Sequence, residues 1–116
     1  MPENQNIEYK QSWHADNLKA ICAFANSNGG KLYIGKDDNG NTVGITDSKT
    51  LMVDLPGRIR NDLGITTEIN LLAENELEYI EIIVNPYTVA ISLRGKYYVR
   101  SGSTTLEIIG NTLNDF

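Results

Sequence analysis

Three carboxylates and one run of cations among tyrosines are the residues here whose types and spacing could do chemistry. Glu3 and Glu8 flank a short segment of alternating polarity, and Asp38 opens the turn Asp38-Asn39-Gly40. A metal-dependent nuclease needs several carboxylates converging on Mg²⁺ or Mn²⁺, because hard cations take oxygen ligands. The same acids read equally as a charged strand face and a polar turn. The run is "RGKYYVRSGS", residues 94–103. On a strand, Lys96, Tyr98 and Arg100 share one face, where cations hold phosphates and a tyrosine stacks on a base. Arg94 precedes them, and Ser101 and Ser103 add hydroxyl donors. The plainer reading is a solvated hairpin whose cations pair with acids elsewhere.

A second stretch, "GGKLYIGKDDNG" at 29–40, has nearly the glycine–lysine spacing of a phosphate loop, but Asp37 stands where Ser or Thr belongs. A phosphate loop runs strand, glycines, helix, so that helix N-terminal amides face the phosphate. Here helical spacing precedes the glycines and a strand-like segment fills the gap. ATP is therefore not an expected cofactor.

The remaining reactive residues are sparse. His14 is the one histidine, and Cys22 lies two helical turns further along, poorly placed to serve with it. Cys22 reads as a core residue and Trp13 as a hydrophobic staple at a helix start. A single cysteine excludes an internal disulfide and a multi-cysteine metal site. The chain has 116 residues and a formal charge of −5, which argues against indiscriminate capture of polyanions. The charge is uneven, however. No acid lies between Glu81 and Glu107, while Arg94, Lys96 and Arg100 do, a +3 stretch in an acidic chain. With neither a signal-peptide pattern nor a membrane-length apolar run, a cytoplasmic protein away from membranes is expected.

The elements that must position these residues follow from periodicity. Alternation predicts a strand at 6–11. Three- and four-residue spacing of Leu18, Ile21, Cys22 and Ala25 predicts a helix at 14–26, ended at Gly29 or Gly30. Residues 31–35 read as a strand, "DDNGN" as a turn, and 42–45 as the returning strand of a hairpin. A helical region at 48–63 ends at Gly64 and should break at Pro56-Gly57. Residues 66–74 and 77–85 read as a hairpin about Asn75-Glu76, and 91–102 as another about Arg94-Gly95. Thr104 and Glu107 match a capping box, predicting a helix that runs on through Leu113 and Phe116, cut short as if from a longer protein. The fold class is a single α/β domain, a mixed and mainly antiparallel sheet packed with two or three helices.

Three segments, "ENQNIEYKQSW", "ICAFANSNGGKLYIGKDDNGNTVGI" and "GKYYVRSGSTTLEI", resemble in order the Schlafen AlbA-type domain, earlier labelled a divergent AAA domain. The resemblance runs from Glu3 to the C-terminus and is nearest the bacterial branch at the N-terminus of transcriptional regulators. It implies an AlbA-like fold, DNA binding and further C-terminal domains as partners. In animal Schlafens two such lobes form a clamp that cleaves structured RNA through three acids. Their motif positions fall here on Glu3, Glu8 and Asp38, so the resemblance implies these as catalytic and metal-binding residues under a ribonuclease reading. Lys36 replaces an apolar residue before the two aspartates, Tyr9 a phenylalanine, and Ala90 a proline. One copy supplies one lobe, so a homodimer is implied. The first expectation is a non-catalytic DNA- or RNA-binding domain using Arg94, Lys96, Tyr98, Arg100, Ser101 and Ser103. The alternatives are a Mg²⁺- or Mn²⁺-dependent ribonuclease and a protein dimerisation or sensory module.

Overall fold

The computed structural model describes residues 3–109. Strand β1 (Ile7–Lys10) leads through a loop to helix α1 (Asn17–Ala25), strand β2 (Gly30–Ile34) and helix α2 (Ser48–Leu63). Five strands follow: β3 (Glu68–Glu74), β4 (Leu77–Val84), β5 (Ser92–Leu93), β6 (Lys96–Ser101) and β7 (Thr104–Ile108). They form a four-stranded sheet in the order β1-β2-β4-β3 and a three-stranded sheet in the order β5-β6-β7. Only β1 and β2 run parallel, Glu8 opposite Leu32, because α1 carries the chain back between them.

Alternation decides which face of the large sheet is dry. Leu32, Ile34, Ile80, Ile82 and Val84 all point to the helix side and are buried. Helix α1 lies between the two sheets. Its alanines at 20, 23 and 25 let strands approach closely, and Lys19 is its one exposed residue. Leu51, Leu55, Ile59 and Leu63 give α2 a single apolar stripe on the same core. Cys22 is buried there, with its thiol donating to the Ile91 carbonyl at 3.3 Å, and Trp13 packs against the cluster. Asn26, just past α1, fastens the small sheet. Its amide donates to the carbonyls of Ile91 (2.7 Å) and Tyr98 (2.9 Å) and accepts from the Ile91 N–H (2.7 Å). The turn into β2 needs glycine, since Gly29 has φ 77° and a Cβ there would lie 2.6 Å from the Val84 oxygen.

Four local expectations differ from the structure. Helix α1 begins at Asn17 rather than His14, whose N–H is taken by the Asn17 side chain at 2.8 Å. Residues 42–45 make no strand, only a bridge of Thr42 to Lys36. The Val43 and Gly44 N–H groups both converge on the Gly35 carbonyl, and the Ile45 N–H turns away to Glu78. Helix α2 runs unbroken through Pro56, whose ring sits on the exposed side. Thr104–Ile108 is a strand, not a capped helix. Its β-branched threonines pair with β6, and the Thr104 hydroxyl donates back to the Ser101 carbonyl at 2.8 Å, closing the hairpin. The expected helical pattern at Leu113 and Phe116 lies outside the described residues.

Candidate nucleic-acid interface

Strand β6 does put Lys96, Tyr98 and Arg100 on one face, but that face turns inward. Tyr98 and Arg100 are buried and only Lys96, at the open end, is exposed. The Arg100 guanidinium has 0% of its side-chain surface exposed. It donates to Glu8 Oε1 at 2.7 Å, to the carbonyls of Asn4 (2.8 Å) and Gln5 (3.2 Å), and to the Thr105 hydroxyl at 3.3 Å. Its flat side lies 4.7 Å from the Phe24 ring centre. To grip a phosphate, Arg100 would have to abandon Glu8 inside the protein. Arg94 is different. Its side chain is 68% exposed and pairs with Asp62 at 3.9 Å. Arg94 and Gly95 form the β5–β6 turn with φ of 53° and 80°, a geometry that holds the two flanking strands in register.

The two N-terminal acids meet. Glu3 and Glu8 line one open cleft of about 550 Å³ with Lys10, Lys19, Tyr98 and Ser103, and Asp16 and Glu107 at its rim. Burial pushes the Glu3 carboxyl above its ordinary 4.5, the Tyr9 N–H pulls it back, and the neighbouring Glu8 raises it further. Glu8 is also 3.5 Å from Lys10, and Lys19 is 3.6 Å from Asp16, so both cleft lysines are partnered by acids. Ser103 is an exposed wall of the cleft; Ser101 is exposed at the end of β6 beside it. About five strand residues, roughly 17 Å, separate these serines from the cations at the hairpin tip.

Asp38 is not brought to the cleft. Glu8 stands opposite Leu32, whereas Asp38 sits in the exposed turn beyond the far end of β2. In that turn Asp37 does the structural work: its carboxylate accepts the N–H groups of Asn39 and Asn41, both at 2.9 Å, which pulls its pKa down. The trio does not fit a divalent ion. Glu8 is already bonded to Arg100, and among the described residues no three of His, Cys, Asp and Glu converge. The near-phosphate-loop lysine, Lys36, hydrogen-bonds the Gly40 carbonyl at 3.2 Å and lies 4.3 Å from the Tyr79 ring centre.

Sequence reasoning passed over Lys10, Lys19 and Thr105, which share this cleft. Periodicity carries no signal for them, because the contacts that assemble the cleft join the two ends of the chain. Glu3 and Arg100 also cover part of the free edge of β1. The outward Tyr9 N–H donates to Glu3 Oε2 at 2.7 Å, and the outward Ile7 carbonyl accepts from Arg100 at 3.5 Å.

Fold and cleft together define a mixed α/β domain with one helix held between two sheets. The chain belongs to the Schlafen AlbA_2 family, which it matches over residues 3–108. It is similar in structure to the N-terminal domain of a RecG-related protein from Nitrosomonas europaea, named for its relation to an ATP-dependent DNA helicase. The two share 26% identity at a TM-score of 0.62, with 90% of this chain and 83% of that one covered. The DIP2311 protein of Corynebacterium diphtheriae shares the fold at 14% identity and a TM-score of 0.70 over 88% of this chain, which spans 22% of that protein. None of the curated proteins compared matches this sequence. No helix among the described residues is long and apolar enough to cross a membrane.

Proposed function

We propose that this domain is a non-catalytic nucleic-acid-binding module of a bacterial transcriptional regulator, holding phosphates with the tip of the β5–β6 hairpin. The observation that carries the reading is the family match over residues 3–108. The RecG-related neighbour supports it. Arg94 and Lys96 are the cations of the basic stretch that face solvent, and Ser101 and Ser103 add neutral donors. Arg100 supports the hairpin's base instead of touching a ligand, and Tyr98 is a covered wall. Two cations give little affinity alone. A second copy, in a cytoplasmic homodimer, or C-terminal domains of a larger protein supply the remainder.

Fluorescence anisotropy of labelled duplex DNA and hairpin RNA, across a salt series with Mn²⁺ present, tests this. Expected is salt-sensitive binding with a log–log slope of about −2 per domain on duplex DNA. Arg94→Ala and Lys96→Ala should each weaken it at every sequence. Absence of binding at low salt would discard the reading in favour of a protein dimerisation or sensory module. The second reading, a ribonuclease, is favoured by the adjacency of Glu3 and Glu8 in one cleft. An anisotropy signal that decays with time in the parent and holds steady in Glu8→Gln would support it, and decay that survives Glu8→Gln would discard it.

A further inference from the structure

The two edges of the large sheet are finished differently. On β1 three outward backbone groups find partners within the protein: Glu3 takes the Tyr9 N–H, and the Ile7 carbonyl accepts from Arg100 and from the Asn4 N–H. The Ile7 N–H is taken by the Asn4 carbonyl at 3.3 Å. Strand β3, the opposite edge, has no such closure among the described residues. Its turn residues, Asn75 and Glu76, have φ of 52° and 66°, the two-residue turn that closes on a hydrogen-bonded Glu74–Leu77 pair. From that pair the parity follows: Glu68, Asn70, Leu72 and Glu74 bond to β4, and Ile69, Leu71 and Ala73 turn their N–H and C=O groups outward. β3 carries no lysine, proline or bulge, and its only charges are Glu68 and Glu74 at its two ends. Leu71 and Leu72 are instead 37% and 36% exposed.

We propose that the open edge of β3 takes an extended polypeptide segment in which Lys or Arg alternates with apolar residues. The chemistry follows from the two faces. Glu68 and Glu74 share the outer face with Asn70 and Leu72, while Leu71 and Ala73 share the other with Ile69, which packs on the core. An added strand thus meets carboxylates on one side and aliphatic side chains on the other. Glu81 is already 3.9 Å from Lys31, but Glu68 and Glu74 are exposed and stand in no ion pair among the described residues, so charge complementarity at this edge favours a basic partner. A second copy of this edge fits badly. Antiparallel pairing centred on Leu71 would set Glu68 of each copy against Glu74 of the other, and like charges directly opposite destabilise.

The test is a labelled short synthetic peptide alternating lysine and valine, titrated against the whole chain, with amide hydrogen exchange read in parallel. Expected are saturable binding weakened by salt and slowed exchange at Ile69, Leu71 and Ala73. Leu71→Pro removes an outward N–H without breaking a ladder bond, and should weaken binding at least tenfold. Glu68→Lys, which leaves the backbone intact, should shift preference toward a glutamate–valine peptide. The proposal is overturned by unchanged exchange at the three amides, by Leu71→Pro binding as the parent does, or by equal affinity for both peptides. Protection appearing without peptide as protein concentration and molecular mass rise would assign the edge to a second copy and overturn it too.

Discussion

Arg100 gives up all of its hydration, and the acceptors that replace it come from Glu8, Thr105 and the backbone of the N-terminal segment. A charge removed from water is tolerable only while its partner and hydrogen bonds remain in place, so one-sided truncation strands the opposite charge. Arg100→Ala should therefore lower unfolding free energy by about 3–5 kcal/mol, read by urea denaturation monitored through Trp13 fluorescence. A loss under about 1 kcal/mol, the size expected of an exposed pair, would contradict the buried assignment. Any loss of nucleic-acid affinity in this variant then reports damaged structure, whereas losses in Arg94→Ala report lost contacts. At this scale the sequence was legible in residue type and strand parity: Lys96, Tyr98 and Arg100 do share a face. Which way that face turns depends on Glu8, 92 residues away, and no local pattern encodes it.

Among the elements, turns and helix ends were the readable parts. Gly64 takes the left-handed cap with φ 72°, and Asn75-Glu76 and Arg94-Gly95 turn their hairpins as expected. Such signals are local, set by which residues accept positive φ. The errors fall where tertiary pairing outweighs a local motif. Thr104 and Glu107 match a capping box, yet β6 offers a full ladder to Thr104–Ile108 and the ladder wins. Pro56 offers the reverse case, a breaker overridden by the apolar stripe of Leu51, Leu55, Ile59 and Leu63. It still leaves the Met52 carbonyl, four residues back, without its helical donor. Because the site is exposed, Pro56→Ala should raise stability by about 1–2 kcal/mol, the restored helical bond exceeding the entropy regained by the unfolded chain. Thermal unfolding checks this, and a lower midpoint would mean that proline fits the helix without strain.

Over the whole molecule, the fold class and the separation of charge were legible, because both follow from composition and period. The cleft was not, because Glu3 and Glu8 come from the first strand region while Tyr98, Ser103 and Thr105 come from the last hairpin. The acid-rich β3–β4 hairpin and the cation-bearing β5–β6 tip give the domain two differently charged ends of sequence, each with an exposed surface. The closure of β1 also has a bearing on synthesis. The segment that borders β1 is fastened by a side chain emerging from the ribosome almost a full domain later, the Arg100–Asn4 bond alone spanning 96 residues. Until then that border is held by its short-range bonds to Asn4 and Glu3 alone, and a loosely covered strand border invites pairing with other chains. Ribosome-bound chains arrested with β4 outside the exit tunnel but residue 100 still inside it should be cut by protease near residues 7–10, while chains arrested with the last hairpin outside resist. Equal resistance at both lengths would mean that the strand finds cover before its arginine arrives.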